Sequence, residues 1–189
     1  MEQRRAVPVA RAVSAHADAA PARGAVRPDL EVVFRRDYGL VVGVAIRVLG
    51  SQDQAEDVAQ EVFLSFGRSS VPASEARGWL SVAAAHTALN LVRSARRRAT
   101  REEVVAASDQ TVVADVAEAV VTREERDRVR AALARLPRKQ STALVLRHSG
   151  LSYAEVAAAL GLSPGSVGTT VRRAESALRE EMVRHASSD

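Results

Sequence analysis

The sequence contains no cysteine, which excludes disulfides, thiolate-ligated zinc and cysteine nucleophiles. Aromatic residues are scarce, at 3% of the chain against a hydrophobic fraction of 47%. The apolar content therefore rests on alanine, valine and leucine, which favour closely packed helices over a sheet sandwich. No apolar run approaches the ~20 residues that a membrane-spanning helix requires. The N-terminus is basic, but no signal-peptide hydrophobic core follows it. Charge of one sign is also not abundant. With 27 Lys+Arg against 23 Asp+Glu the net charge is +4, so any nucleic-acid argument rests on where the cations lie. The reading is of a soluble, cytoplasmic, helical protein of 189 residues, long enough for one ordinary domain or two small ones.

Residues 1–28 show neither a helical nor a strand period. They carry Arg4, Arg5, Arg11, Arg23 and Arg27 against Glu2 and Asp18 and read as a disordered basic tail. A first helix is expected after Pro28, with Asp29 as its cap and Leu30, Val33, Phe34, Val41, Ala45 and Val48 on one stripe up to Gly50. A second runs from Asp53 to Phe66, with Ala55, Val58, Ala59, Val62, Phe63 and Phe66 at helical spacing. After a Ser/Pro loop, a third runs from Glu75 to Arg98 and ends in a basic cluster. Residues 100–121 lose the amphipathic period and hold Glu102, Glu103, Asp109, Asp115 and Glu118; they read as an acidic linker.

From Thr122 the pattern sharpens into four more helices. Pro137 opens the second of these and Gly150 closes it. Ser152 with Glu155 makes a capping box for the next, which Gly161 terminates, and Ser163 then caps the last with Pro164 in its first turn. The fold expected is all-α: two small helical domains, 29–99 and 122–183, joined by a flexible linker, with 184–189 as a C-terminal tail.

The stretch GLSPGSVGTTVRRAESAL, Gly161 to Leu178, completes a helix-turn-helix. Val156, Ala157 and Leu160 of its first helix and Val167, Val171, Ala174 and Leu178 of its second can pack inward. The opposite face of the second helix presents Ser166, Thr169, Arg172, Arg173 and Ser176. Small residues at its start, Ser163, Gly165 and Ser166, let the helix N-terminus approach phosphates, while longer donors reach base edges or further phosphates. An ordinary surface helix would also show solvated arginines; the helix-turn-helix spacing and the two caps favour DNA contact.

In the N-terminal half, Asp53, Glu56, Asp57, Gln60 and Glu61 lie opposite the apolar stripe of the second helix. Taken alone, such a face reads as solvated; in a net basic protein it also reads as a dock for a basic partner. The third helix carries Trp79, His86, Asn90, Arg93, Arg96 and Arg97. A tryptophan beside a loop and a basic helix end suit single-stranded DNA, and a core tryptophan with a solvated helix end explains them equally well.

The order of these motifs resembles the bacterial sigma factors of the extracytoplasmic-function type. AEDVAQEVFLSF, Ala55 to Phe66, is similar to the family's helix that binds core RNA polymerase. RGWLSVAAAHTALNLVRSARRR, Arg77 to Arg98, is similar to its −10 recognition and melting region, and Ala132 to Leu178 to its −35-binding domain. The resemblance covers roughly residues 30–181 and implies a role for each site. Asp53, Glu56, Asp57, Gln60 and Glu61 would face core polymerase. Ser69, Ser70, Ser74, Arg77, Trp79, His86, Asn90, Arg93, Arg96 and Arg97 would handle the single-stranded −10 element, with the loop from Ser69 to Ala76 receiving a flipped base. Ser152, Ser163, Gly165, Ser166, Thr169, Thr170, Arg172 and Arg173 would hold the −35 duplex.

The acidic linker would thread into the RNA-exit path. The resemblance also admits an anti-sigma factor as a further partner, and it calls for no cofactor or metal. Several positions depart from the family's habit: His86 replaces an asparagine and Asn90 an aspartate, Gly168 and Thr170 stand where lysine and arginine are common, and Phe66-Gly67 replaces an alanine-tryptophan at the end of the second helix. A stand-alone helix-turn-helix regulator is the alternative, but it needs no acidic helix, single-strand site and linker together. An enzyme finds no nucleophile–base pair, phosphate loop or metal cluster to support it.

Overall fold

The computed structural model describes residues 27–105 and 117–186. Among these residues there are seven helices and no strands: α1 (Leu30–Leu49), α2 (Gln52–Gly67), α3 (Ala76–Val105), α4 (Ala117–Arg135), α5 (Arg138–His148), α6 (Tyr153–Leu160) and α7 (Pro164–Ala186). Most of the expected tail, residues 1–26, lies outside the described residues, as do 106–116 and 187–189. The acidic segment expected as a linker is helical at both of its described ends, since α3 runs through Val105 and α4 starts at Ala117. The expected C-terminal tail begins inside α7, which continues to Ala186.

Local chemistry sets most boundaries. Gly50 ends α1 in the left-handed conformation at φ 69°, and Gly161 ends α6 at φ 61°, a region that glycine enters without a Cβ clash. Ser51 caps α2 by accepting a hydrogen bond from the Gln54 backbone N–H. At α6 the capping box is complete: Ser152 accepts from the Glu155 N–H, and the Glu155 carboxylate accepts from the Ser152 N–H at 2.8 Å. Asp29 occupies the N-cap of α1 but makes no capping bond. Arg27 binds its carboxylate instead, and that bond holds the Asp29 pKa below its ordinary value.

The stripe expected on α2 is buried along its whole length, from Ala55 to Phe66. On α1 the buried stripe is Val33, Asp37, Val41, Val44, Ala45 and Val48. Phe34, expected in the core, is 41% exposed and packs edge-on against Phe63 with ring centres 4.9 Å apart. A charged residue on the inward stripe went unforeseen. Asp37 is fully buried and accepts from Arg36 at 2.7 Å and 3.0 Å, because a buried carboxylate needs charged or polar partners.

The two helical modules pack against each other. The N-terminal module is α1 to α3 and the C-terminal one α4 to α7, and α3 touches α4, α5 and α6. The buried apolar residues of both form one contiguous core, which joins Leu80 and Leu89 to Leu136, Leu146 and Val171. No helix among the described residues is long and apolar enough to cross a membrane.

Candidate nucleic-acid interface

The C-terminal module presents an open face. Val156, Leu160, Val167, Val171 and Ala174 are buried where α6 meets α7, and the turn between them is Gly161, Leu162 and Ser163. This inward set rotates the opposite side of α7 outward, so Gly165, Ser166, Thr169, Arg172 and Arg173 are all exposed. At the helix start, the Ser163 and Ser166 hydroxyls bond to each other at 2.6 Å. Thr170 is half-buried and donates to the Ser166 carbonyl of its own helix at 2.8 Å, which leaves its hydroxyl oxygen as an acceptor. Ser152 is exposed but serves the cap of α6. Gly168 faces the Tyr153 ring, which lies 3.9 Å from where a Cβ would sit.

The residues expected to handle a single strand meet a different fate. Trp79, His86 and Arg93 recur every seven residues and therefore share one stripe of α3. Trp79 is 2% exposed, packs on Phe66 with ring centres 5.9 Å apart, and leaves its indole N–H without a partner. It is a core residue here, so it offers no face on which a base could stack. His86 is also buried, and burial, then the Arg138 and Arg93 charges, lower its pKa to about 4.

Arg93 donates to the Ala134 carbonyl at 3.1 Å, the Leu136 carbonyl at 3.2 Å and Ser141 Oγ at 3.2 Å. The guanidinium thus closes the C-terminal end of α4, where backbone carbonyls lack helical partners and attract cations. Arg77 pairs with buried Asp37 at 3.7 Å and with Glu155 at 3.2 Å. Ser152 and Arg77 together hold the Glu155 pKa below its ordinary value.

Ser70, Ser74, Asn90, Arg96 and Arg97 remain exposed. Arg93, Arg96, Arg97 and Arg101 line a basic cleft of about 650 Å³ against Ala134. Ser69 turns its hydroxyl back to the Phe66 carbonyl at 2.8 Å. The loop that follows is held by Arg27, assigned above to the tail. Its Nη1 donates to the Val71 carbonyl at 2.7 Å, and its guanidinium lies 4.2 Å over the Phe66 ring.

On the N-terminal module, Asp53, Glu56, Asp57, Gln60 and Glu61 are all exposed on α2. Next to them lies an apolar patch invisible as such in the sequence. Leu64 is 52% exposed and Phe34 41%, and with Tyr38, Glu56 and Gln60 they border a cleft of about 830 Å³. The Leu64 position, off the core stripe of α2, was the available signal for this patch. A surface of exposed aromatics and aliphatics beside carboxylates suits a partner carrying both apolar and cationic groups.

A helix-turn-helix module whose second helix is open, carried on a helical module with a basic helix and an acidic helix, defines a class of two-part helical folds. The comparisons narrow the class. Residues 33–98 match Sigma-70 region 2 and residues 126–178 match Sigma-70 region 4. The chain is 30% identical over 168 residues to the ECF RNA polymerase sigma factor SigE of Mycolicibacterium smegmatis, covering 86% of this chain and 65% of that protein. It is 34% identical over 148 residues to SigJ of Mycobacterium tuberculosis, covering 73% and 46%. It is 34% identical over 139 residues to EcfG of Rhodopseudomonas palustris, covering 71% and 74%. The chain belongs to the extracytoplasmic-function sigma factors of the sigma-70 family. It spans less than two thirds of the length of the first two of these relatives.

Proposed function

We propose that the chain is a dissociable initiation subunit without catalytic activity of its own. It binds bacterial core RNA polymerase, directs it to promoters through −10 and −35 elements, and assists opening of the duplex. Residues 29–99 form the polymerase-binding and −10 module, and residues 122–183 the −35 module.

The observation that carries this reading is the pairing of an exposed recognition helix with an exposed acidic-and-apolar helix face in one chain. Thr169, Arg172 and Arg173 project from α7, where Arg can bond guanine edges or phosphates. Asp53, Asp57 and Glu61 on α2 are free to meet a basic element of the polymerase, with Phe34 and Leu64 supplying the apolar part of the contact. The basic end of α3 then holds the phosphates of the opened strand.

Transcription in vitro with core polymerase and promoter-bearing fragments tests this directly. New transcripts with defined starts, dependent on the added chain, are expected. Duplex binding without polymerase binding and without transcripts would instead identify a stand-alone regulator.

A further inference from the structure

The loop between α2 and α3, residues 69–76, carries few bonds of its own. The Ser69 N–H donates to the Phe66 carbonyl, and one turn joins the Glu75 N–H to the Pro72 carbonyl, both at 2.9 Å. What fixes the stretch between them comes from the α1 side. Arg27 Nη1 donates to the Ser69 carbonyl at 3.4 Å and to the Val71 carbonyl at 2.7 Å. The Nη2 of the same guanidinium donates to Asp29 at 2.7 Å, and its Cζ lies 4.2 Å from the centre of the Phe66 ring.

Further along, Arg36 repeats the arrangement. It forks onto buried Asp37, and its Nη2 also donates to the Ala73 carbonyl at 3.3 Å. Each arginine is therefore tethered by a carboxylate and in turn tethers carbonyls of the loop. A guanidinium can do both at once because its donors are spread over a rigid planar fork, whereas an ammonium offers a single centre. Ser70 and Ser74 remain exposed on the loop held in this way. A base that leaves its stack loses stacking free energy, and a loop that had to order at the same moment would add to that cost.

We propose that Arg27, with Arg36 beside it, is a positioning residue for −10 recognition: the two guanidiniums hold the loop in the shape that receives the flipped base, and so set how sharply that base is discriminated. This rests on the −10 reading of the N-terminal module. Neither arginine touches DNA in this role; each acts through the loop backbone. Part of the −10 site thus belongs to a residue that precedes α1 and reads as tail in the sequence.

One test needs no DNA. Hydrogen exchange of the free full-length chain, read by mass spectrometry, should show the amides of residues 69–76 exchanging about tenfold faster in Arg27→Ala than in the wild type. The amides of α5 and α7 should be unchanged, which shows that the variant is folded. Equal exchange in the loop overturns the proposal.

A second test uses the assembled holoenzyme on a promoter defined by its transcript start. Each −10 base is substituted in turn, and the initiation rate on each template is divided by the rate on the parent. Loss of folded chain lowers all rates together and leaves these ratios unchanged, while a displaced loop alters them. Arg27→Ala should bring the strongest discrimination about fivefold closer to one, and Arg27→Lys should restore little of it. Asp29→Asn leaves Arg27 in place and makes no capping bond to lose; it should give a smaller change in the same direction. Wild-type ratios in Arg27→Ala, or full recovery in Arg27→Lys, overturn the proposal. A wild-type chain indifferent to every −10 base overturns the −10 reading and the positioning role with it, and faster loop exchange in Arg27→Ala then shows that the failure lies in the reading and not in the hold on the loop.

Discussion

Two arginine-bearing helix faces meet opposite fates in this molecule. On α7, Arg172 and Arg173 stand free because an unbroken apolar set, Val167, Val171 and Ala174, faces the module core. On α3, the stripe that holds Arg93 lies under the other half of the chain, and its guanidinium is spent on backbone carbonyls of α4. Both faces are written in the same residue types. Whether an arginine reaches solvent is decided by what packs over its helix, and on α3 that neighbour comes from more than forty positions away.

The sharpest way to break this contrast is to remove the core beneath it. Phe66 is fully buried against Trp79 and Arg27, and Phe66→Ala should cost about 3–5 kcal/mol. Because the two modules share a core, Trp79 fluorescence and far-ultraviolet circular dichroism should lose their signals in one transition. Two separated transitions would show that the modules fold independently and that the seam contributes little.

Acidity probes the covered face alone. His86 has a folded-state pKa of about 4, against the ordinary value of 6.5. Between these values the unfolded chain takes up a proton that the folded chain refuses. Stability should therefore fall as pH drops through that window, by at most ~1.4 kcal/mol per pH unit. Chemical denaturation across the window should show this slope in the wild type and a flatter one in His86→Gln; equal slopes would mean that His86 is not the group responsible.

The open faces are tested by charge. Asp57→Lys with Glu61→Lys should weaken core-polymerase binding by about tenfold or more while leaving the circular dichroism unchanged, since both side chains are exposed. Unaltered polymerase affinity would remove α2 from the docking surface. Arg172→Ala with Arg173→Ala should lower the slope of log affinity against log salt for −35 duplex by about 2. A slope equal to that of the wild type would place the phosphate contacts elsewhere.

The smallest effect concerns α7 itself. Its Gly168 leaves ordinary contact distance to Tyr153, so Gly168→Ala should add about 0.5–1 kcal/mol of stability. A lower melting temperature would show that the Tyr153 contact tolerates no methyl group.

Much of the local structure was legible from residue order. Period located α2, and capping chemistry the ends of α1 and α6, because the Ser152–Glu155 pair, Gly50 and Gly161 act on backbone groups within a few residues. The reading failed where partners are distant. Asp37 sits on a buried stripe because distant Arg77 joins its neighbour Arg36 beside it, and Arg27 leaves the tail because Val71 and Phe66 receive it. Phe34 was assigned inward by spacing alone, yet its place at the edge of α1 beside Phe63 leaves it half exposed.

By itself the sequence determined most of the helices, the ends of α1, α2 and α6, the open polar face of α7 and the acidic face of α2, since these depend on side-chain period and on hydrogen bonds within one turn. Only the tertiary structure decided that α3 is covered. That outcome rests on Arg93 reaching the end of α4 and on Arg77 reaching Glu155. Neither contact leaves a periodic trace in the chain, because one ends on a carbonyl that every residue possesses and the other on a carboxylate far away in sequence.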